Sequence, residues 1–548
     1  MKDNQFGRLM FAIIVVYLAG MLVNIMDVDA SQYAAMSREM LESGSYLQIY
    51  EHGHDYLDKP PLLFWLSSLS MAVFGATNFD YKFPSFLFAL IAIYSTYRFA
   101  QLFYSERIAQ VSALILASSQ ALFTITNDCR TDTLLMGCVA FTFWQLAAAF
   151  ETPKKSHFLL GFIGIGFGLL SKGMVAIVIP AMAFSVHFIY KKAYKNFILP
   201  EYLWGLLVIA LILLPMCWGL YQQFDLHPEK LVNGKTGVSG LRFFFWTQSF
   251  GRITGENEWQ NAVYFTFLFE NMLWSFIPWI LLFTVGYLTA IINLFKKNPF
   301  FKTTELITLG GFTLGYASLA SSQYQLPHYI FVVYPLIAVI TARFVVDVLE
   351  AKTRDFLSKI AKILRGVHWF VLSILWVLPF LILVYVFPDW GFPLIGMAIL
   401  TLIYLVLSIK NKSLVFSSIY TALIINLFLN LYFYPKLLTY QEGSEVGQFL
   451  NAQKTPKNPF FVYKYRALGA LHFYSRRLVE EKTEIQQVET GDWLLTNKEG
   501  VAEIENAGFQ IKIIKEGHAF SVSALTSTFL NPKTRSSATE VYYLIQVL

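Results

Sequence analysis

The sequence predicts a mainly α-helical polytopic membrane protein of about thirteen transmembrane helices, followed by a small α/β domain outside the membrane. Three observations support this prediction: the composition, the length of the apolar segments, and the side on which charged loops fall. Hydrophobic residues make up 56% of the 548 residues. Charged residues make up only 14%, against about 25% in a soluble domain. Most of the chain therefore belongs in a bilayer, with room for one soluble domain.

Apolar segments recur along the chain, and most approach the length of about 20 residues that a helix needs to cross a bilayer. The first segment lacks a small-residue cleavage site, so we interpret it as a span and not as a signal peptide. The fifth and sixth segments are short and meet at Lys172. The predicted spans are 9–26, 81–103, 108–126, 132–150, 157–171, 173–190, 201–221, 270–294, 304–321, 327–347, 367–387, 391–409 and 414–434.

The lysines and arginines of short loops fall at every second loop, for instance at 154–155, 191–195 and 352–365. Loops of this kind face the cytoplasm. The N-terminus is thus predicted to be cytoplasmic, and an odd number of spans places the C-terminus outside. The net charge of +6 is explained by these loops, so no nucleic-acid partner is predicted. The three cysteines show neither a metal-like pairing nor a disulfide framework.

The outer side is predicted to hold two long loops, 27–80 and 222–269. In the first loop, helical spacing predicts a helix over 31–41. Two prolines then open a second apolar helix over 62–74, because proline suits the first turn of a helix. This second helix and the Phe-rich stretch 241–246 are predicted to lie in the membrane interface.

The tail changes character near Tyr440, where polar helices and alternating strand-like runs replace the apolar segments. This pattern predicts a small α/β domain. The predicted boundaries are 1–437 for the membrane domain and 438–548 for the tail domain. The predicted helices of the tail are 445–453 and 468–477, and its predicted strands are 460–465, 493–496, 509–514 and 541–547.

Asp27 and Asp29 stand where the first span ends. Two carboxylates at this spacing can bind a metal, or one of them can act as a general base. The alternative is structural: the pair ends the first helix and Asp29 caps the next one, since Asp is a strong N-cap residue. The two interpretations are compatible.

Asp58 and Lys59 precede the prolines that open the interfacial helix. An ammonium beside the free N–H groups of a helix start suits a phosphate at membrane depth. The alternative is a lysine that reaches toward the surface and pairs with Asp58. Earlier in this loop, the run 51–55 has two histidines flanked by acids, which is a weak metal-binding pattern and equally typical of a solvated loop.

A dense polar turn over 127–132 separates two apolar spans and contains Asp128, Arg130 and Asp132. Unpaired charge is costly at membrane depth, so these residues are expected to pair with one another or to face a cavity. Asp132, at the head of the fourth span, is the one expected to face a cavity. Lys172 is a further cation predicted on the outer side.

Two later outer segments add groups that suit a phosphate. Arg252 follows the Phe-rich stretch and offers a planar fork of donors, although an arginine there can also contact lipid headgroups. The turn that contains Tyr324, His328 and Tyr329 adds phenols and an imidazole. The alternative for this turn is an aromatic belt at the membrane interface.

The run 29–41, Asp-Ala-Ser-Gln-Tyr-Ala-Ala-Met-Ser-Arg-Glu-Met-Leu, followed by Asp58-Lys59-Pro60, resembles the first outer loop of the aminoarabinose transferases. These belong to the protein-mannosyltransferase-like, GT-C class of membrane glycosyltransferases. The family pattern is an acid, Tyr-Ala, Arg-Glu-Met-Leu, and then an acid followed by Lys-Pro. The turn ending at Asp132 and the segments around 252 and 326–329 add weaker similarity.

The resemblance implies a GT-C fold and transfer of a sugar from a polyprenyl phosphate to an acceptor outside the cytoplasm. It implies that Asp29 is the general base, that Asp132 is a second essential acid, and that Lys59, Arg252 and Tyr329 hold the donor phosphate. Together with the residues singled out above, the candidate catalytic residues are Asp29, Asp132 and Asp27. The candidate phosphate-binding residues are Lys59, Arg252, Tyr329, His328 and Tyr324. Other residues expected in the cavity are Asp58, Tyr33, Lys172, Asp128 and Arg130.

Two departures from the family pattern stand out. Ala30 occupies a position where Glu is common in the family. Thr247 and Ser249 occupy the stretch where some aminoarabinose transferases carry zinc-binding histidines, so zinc is not carried over. No cofactor is therefore predicted with certainty, and a divalent metal stays open.

The sequence thus predicts a multi-pass enzyme of the bacterial inner membrane with a periplasmic C-terminal domain. Its activity is expected to be that of a hexosyl or pentosyl transferase that uses a polyprenyl-phosphate sugar. The predicted acceptor is a lipid such as lipid A, a glycan or a protein, and membrane lipids are expected to contact the chain. The alternatives are an oligosaccharide ligase of the same class and a transporter or flippase of lipid-linked sugars.

Overall fold

The computed structural model describes residues 3–548 except 153, 255, 257–260, 262–263, 297–301, 351–355, 412, 453–458 and 467–468. Helices dominate the chain up to Tyr440. The first ten α-helices are α1 (Asp3–Met21), α2 (Asp29–Ser43), α3 (Leu62–Phe74), α4 (Asn78–Phe103), α5 (Glu106–Ala117), α6 (Gln120–Asn127), α7 (Thr131–Glu151), α8 (Lys155–Lys172), α9 (Val175–Lys191) and α10 (Glu201–Leu220). The next ten are α11 (Gly240–Arg242), α12 (Gly251–Thr254), α13 (Phe267–Ser275), α14 (Ile280–Phe295), α15 (Ile307–Ala320), α16 (Tyr334–Phe344), α17 (Phe356–Leu381), α18 (Phe392–Asn411), α19 (Leu414–Phe428) and α20 (Tyr434–Leu437).

Short 3₁₀ and π segments extend or connect these helices. The 3₁₀ segments are Tyr194–Phe197, Pro327–Val333, Leu438–Tyr440, Ile485–Gln487 and Arg535–Ala538. The π segments are Tyr221–Asp225, Phe243–Thr247, Val345–Glu350, Ile382–Val386 and Leu429–Phe433.

Seven helical stretches within the described ranges are long and apolar enough to cross a membrane. An eighth is obtained if α5 and α6, which bend by 49° at their junction, form one span. The seven are Asn78–Phe103, Thr131–Glu151, Tyr194–Asp225, Pro327–Glu350, Ala361–Val386, Phe392–Lys410 and Leu414–Tyr440. The chain is therefore a multi-pass membrane protein. Each predicted span coincides with a helix or a pair of helices, but several are short, and the count of thirteen stays a prediction.

The first outer loop contains the two helices expected there. α2 is capped at its C-terminal end by Gly44, whose φ of +71° favours glycine, and α3 begins directly after Pro61. The expectation that Asp29 caps α2 was wrong. Val28 occupies the N-cap position, and Asp29 is the first helical residue, where its charge still complements the helix dipole.

The helix α7 lies near the centre of the bundle, and most of its residues are buried. It packs against α4 and α8, while α2 packs against α3. This arrangement brings the polar turn before α7 next to the first outer loop. The N-terminal end of α7, the C-terminal end of α8 and the Pro327–Val333 segment thereby come together around one opening.

The chain after Tyr440 forms a five-stranded sheet with flanking helices. The strands of the chain are β1 (Tyr50–Glu51), β2 (His54–Asp55), β3 (Phe460–Tyr463), β4 (Glu480–Lys482), β5 (Trp493–Asn497), β6 (Ile511–Ala519) and β7 (Glu540–Val547). The strand order in the sheet is β4-β3-β5-β7-β6, in which β3 runs parallel to β4 and β5, and β7 runs antiparallel to β5 and β6. The tail helices are α21 (Glu442–Ala452), α22 (Gly469–Ser475), α23 (Lys498–Asn506) and α24 (Ser527–Leu530).

All four strands predicted in the tail are present, with shifted boundaries. The short β4 and the helices α23 and α24 were not predicted. The helix α22 packs directly on α2, so the tail contacts the first outer loop. The division of the chain at 437/438 stays a prediction.

Candidate active site

A polar cavity of about 320 Å³ opens between α2, the β1–β2 hairpin, the start of α7 and the end of α8. Its walls come from segments that lie far apart in the sequence. The residues that line it are Asp29, Gln32, Tyr33, Glu51, Asp55, Tyr56, Leu57, Asp58, Lys59, Arg130, Thr131, Asp132, Lys172, Asn233, Tyr324, Leu326, His328 and Tyr329.

Arg130 is the central cation on one side of this cavity. Its Nη1 donates to Asp29 Oδ2, and its Nε donates to Asp128 Oδ2 at 2.7 Å. Burial alone would lower the pKa of Arg130, but the carboxylates of Asp128 and Asp29 raise it above its ordinary value. The guanidinium therefore joins the first outer loop to the turn before α7 as a permanent positive charge.

Lys172 is the central cation on the other side. Its ammonium pairs with Asp132 Oδ1 and lies 3.8 Å from the centre of the Tyr329 ring. His328 Nε2 approaches the other oxygen of Asp132 at 3.5 Å. Lys172 ends α8, and Gly173 turns the chain with a φ of +89°, which favours glycine. This break between two short helices places the lysine at the opening.

Lys59 lies between these two clusters. Its Nζ is 2.6 Å from Asp58 Oδ2. Gln248 donates to the backbone carbonyl of Asp58 and, at 3.1 Å, to its Oδ1. The predicted pairing of Lys59 with Asp58 is therefore present, and Gln248 from the second outer loop holds the acid in place.

Tyr33 faces the cavity from α2 and is 4% exposed. Burial raises the pKa of its phenol well above the usual value, and the nearby carboxylates of Asp29 and Asp58 add to this shift. The phenol thus stays protonated, and its O–H can donate a hydrogen bond.

An apolar cavity of about 240 Å³ adjoins the polar one. Three residues line both: Lys59, Lys172 and Tyr329. The other walls of the apolar cavity come mainly from α9, α15 and the second outer loop: Leu135, Met174, Val175, Val178, Ile179, Met182, Gln248, Ser249, Phe250, Ser318, Leu319 and Ser322. Two ammonium groups and a phenol therefore mark the boundary between a polar and an apolar compartment.

The structure brings together most of the residues singled out in the sequence. Ten of them line the polar cavity: Asp29, Tyr33, Asp58, Lys59, Arg130, Asp132, Lys172, Tyr324, His328 and Tyr329. Asp128 supports the site through Arg130. Asp27 is not brought to this cavity, because its side chain turns to the C-terminal tail, where Ala470 N donates to it. The side chain of Arg252 lies outside the described part of the structure.

Sequence reasoning missed several residues at the site. Glu51 and Asp55 line the cavity because the β1–β2 hairpin folds over it, so the run 51–55 is more than a solvated loop. Asn233 and Gln248 arrive from the second outer loop, and no local pattern marked them. Among the described residues, no group of three or more His, Cys, Asp or Glu is placed to hold a metal ion.

The chain is similar to a known family model and to several known proteins. Residues 58–218 match the family model described as dolichyl-phosphate-mannose-protein mannosyltransferase. An undecaprenyl phosphate-α-4-amino-4-deoxy-L-arabinose arabinosyl transferase from Proteus mirabilis is 26% identical over 325 residues, which are 58% of this chain and 55% of that protein. A transferase of the same description from Wigglesworthia glossinidia brevipalpis is 24% identical over 386 residues, 67% of this chain and 64% of the relative. The chain thus spans just over half to nearly two thirds of these curated relatives.

The fold matches a solved structure over its whole length. ArnT from Cupriavidus metallidurans, crystallised with undecaprenyl phosphate, superposes with a TM-score of 0.71 at 15% identity and covers 99% of this chain and 98% of ArnT. Its apo structure gives a TM-score of 0.70. The fold is therefore that of ArnT, and the resemblance to GT-C membrane glycosyltransferases that the first outer loop indicated is confirmed.

Proposed function

We propose that this protein is a membrane glycosyltransferase that moves a sugar from a polyprenyl-phosphate donor to a lipid, glycan or protein acceptor at the outer face of the membrane. One observation carries the proposal: the polar and apolar cavities meet at Lys59, Lys172 and Tyr329. A molecule with an anionic group between a long apolar chain and a polar sugar matches this arrangement. The names of the relatives, which contain undecaprenyl phosphate, support the same class of donor.

The donor lies with its isoprenoid chain in the apolar cavity and its phosphate at the boundary. Lys59 and Lys172 supply positive charge there, and the Tyr329 phenol can donate a hydrogen bond. Both lysines are already paired with carboxylates, Asp58 and Asp132, which fix their positions before the donor arrives. The sugar then occupies the polar cavity.

The reaction is an inverting displacement at the anomeric carbon, the stereochemistry being that implied by the family. The acceptor oxygen forms a bond to this carbon while the bond from the carbon to the phosphate oxygen breaks. Asp29 takes the proton of the acceptor hydroxyl. Lys59 and Lys172 offset the charge that grows on the departing polyprenyl phosphate, and preorganised electrostatic stabilisation of this kind is often the largest catalytic term.

The orientation of the site follows from the charge pattern of the loops. We place the N-terminus in the cytoplasm, and the polar cavity and the C-terminal tail on the periplasmic side of a bacterial inner membrane. The tail, 438–548, would then be a periplasmic α/β domain on a membrane domain of thirteen spans. The contact of α22 with α2 is compatible with this arrangement.

The test uses purified protein in liposomes with radiolabelled polyprenyl-phosphate sugars and candidate acceptors, among them lipid A. The expected result is transfer of label to one acceptor with release of one polyprenyl phosphate for each sugar moved. Asp29→Asn protein serves as the inactive control. Movement of intact donor across the membrane by both proteins, without release of polyprenyl phosphate, would instead establish a flippase.

A further inference from the structure

A third cavity, of about 370 Å³, lies between the turn that joins α1 to α2 and the C-terminal sheet. None of its lining residues belongs to the polar or the apolar cavity described above. Its residues come from two parts of the chain that are more than 400 positions apart. A ligand bound there would therefore contact the first outer loop and the tail at the same time.

Asp27 is the most unusual group of this cavity. The residue is 7% exposed. Oδ1 accepts hydrogen bonds from the Ser31 hydroxyl and, at 3.2 Å, from the Ala470 N–H, whereas Oδ2 has no hydrogen-bond partner among the described residues. An unpaired buried carboxylate oxygen is costly, because it has lost water without gaining a donor. Asp27 is one of the residues that line the cavity.

Glu442 is the second buried acid of the cavity and is 8% exposed. It accepts a hydrogen bond from the Tyr465 hydroxyl, and Glu540 at the opening is exposed and close enough to interact with it electrostatically. Burial raises the pKa of Asp27 to about 6 and that of Glu442 to about 7. No lysine, arginine or histidine is among the described lining residues. Within the described part of the chain, the acids of this cavity therefore face no cationic lining residue.

The chemistry of the walls favours an ammonium group over a metal ion. A divalent metal needs several converging ligands, and no group of three or more suitable side chains is placed for one among the described residues. An ammonium needs only one or two carboxylates and neutral acceptors, and its N–H groups would satisfy the orphaned oxygen of Asp27. Val28, Phe520 and Val522 provide apolar walls for the carbon atoms that carry it.

We propose that this cavity binds a primary ammonium group on a short carbon chain, with Asp27 and Glu442 as its counter-charges. The side chain of Asp27 also contacts Ser31 on α2 and Ala470 on α22. A bound amine thus stabilises the contact between the tail and the helix that begins with Asp29. The amine is supplied either by the headgroup of an aminophospholipid or by a soluble amine. The proposal does not depend on the transferase reaction.

The test measures thermal unfolding of the full chain in nanodiscs of phosphatidylcholine and phosphatidylglycerol, titrated with ethanolamine. Tetramethylammonium, ethylene glycol and MgCl₂ at matched ionic strength are the comparison ligands. Ethanolamine is expected to raise Tm saturably, and the other three are not, because they lack either the N–H donors or the single charge. The titration is repeated in nanodiscs that contain phosphatidylethanolamine. If added ethanolamine no longer raises Tm there, the lipid headgroup is the source of the bound amine. If the rise in Tm is unchanged, the source is a soluble amine.

Asp27→Asn and Glu442→Gln are expected to weaken the apparent affinity for ethanolamine at least tenfold. Glu489→Gln, which changes an exposed acid of the same tail, is the matched control and should bind as the wild type does. Ser523→Trp blocks the cavity while leaving both acids in place, so it decides the question if either acid variant fails to fold. The proposal is overturned if ethanolamine raises the Tm of the wild-type protein in neither membrane. It is also overturned if Mg²⁺ or tetramethylammonium stabilises equally, or if Ser523→Trp protein retains the full effect.

Discussion

Arg130 holds Asp29 and Asp128 on one guanidinium, so that a carboxylate of the first outer loop is fixed against the turn that precedes α7. The contact with Asp29 uses Oδ2, and our proposal assigns the acceptor hydroxyl to the other oxygen, Oδ1. The proposed base is therefore positioned by a residue about 100 positions away in the sequence. This relationship explains why α2 and α7 must keep their relative placement for the proposed reaction.

Replacing Asp29 by Asn should abolish most of the sugar transfer. The carboxamide keeps the shape of the side chain but cannot take the proton of the acceptor, and a general base contributes about 10²–10⁴-fold in rate. Donor binding should change little, because we propose that the phosphate binds at Lys59 and Lys172. The measurement is kcat in the liposome assay beside the Kd for polyprenyl phosphate. Glu42→Gln, at an exposed acid on the same helix, is the control. Full activity of Asp29→Asn would remove this residue from the mechanism.

Replacing Arg130 by Gln should lower both activity and stability. Asp29 and Asp128 would lose their shared counter-charge in a partly buried site, at a cost on the order of 1–3 kcal/mol. The double variant Asp29→Asn, Arg130→Gln should lose less transfer activity than the two single losses combined, because both act on one ion pair. A fully additive double-mutant cycle would show that Arg130 does not act through Asp29.

Replacing Lys59 by Gln should weaken the binding of polyprenyl phosphate by about 1–3 kcal/mol, the value typical of a charge-assisted hydrogen bond. Equilibrium binding of tritiated polyprenyl phosphate measures this effect. The matched control is Lys195→Gln, since Lys195 is exposed and lines neither cavity. An unchanged Kd in the Lys59 variant would exclude the boundary between the cavities as the phosphate site.

Local sequence patterns predicted the parts of this site that depend on nearby residues. Pro61 marked the start of α3, and the short apolar segments on either side of Lys172 marked a break that brings a lysine to the cavity. The dense polar turn before α7 indicated buried ion pairs, because charge at membrane depth needs a partner. Each of these inferences used fewer than about ten neighbouring residues.

The same patterns could not predict which way Asp27 turns. Asp27 is only two positions before Asp29, yet its partner Ala470 lies in the C-terminal tail, 443 positions away. The roles of Glu51, Asp55 and Gln248 depend likewise on how a hairpin and the second outer loop fold over the opening. Such contacts are set by tertiary packing, which leaves no periodic mark in the sequence.

Filling the apolar cavity should discriminate between long and short donors. Val178 lines this cavity on α9, and Val178→Trp would occupy the space we assign to the isoprenoid chain. We expect affinity for a long-chain polyprenyl phosphate to fall at least tenfold, while a water-soluble short-chain analogue binds as before. Val367→Trp, at an exposed position on α17, controls for a bulky substitution elsewhere. An equal loss for both chain lengths would argue against a lipid tail in this cavity.

The contact between the tail and the first outer loop should weaken in acid because of His472. This histidine is 2% exposed, and its ring stacks on that of His52 at 3.6 Å. Burial, the His52 ring and the charge of Arg38 lower the pKa of His472 to about 3. Glu39, whose carboxylate accepts from the His52 and Gly53 N–H groups, is the facing acid.

Because the pKa of His472 is lower in the folded state, this histidine contributes stability at pH values above about 6.5, which is its pKa in the unfolded chain. The contribution is lost as the pH falls from 6.5 toward 3. Between pH 8 and pH 5, this loss amounts to about 2 kcal/mol of unfolding free energy. The His472→Gln variant should not show this loss of unfolding free energy. The raised pKa values of Asp27 and Glu442 act in the opposite direction in both proteins, so the difference between wild type and variant isolates His472. Unfolding measured at both pH values in nanodiscs should therefore show a smaller loss of stability in acid for the variant. Equal losses in the two proteins would show that folding does not lower the pKa of His472.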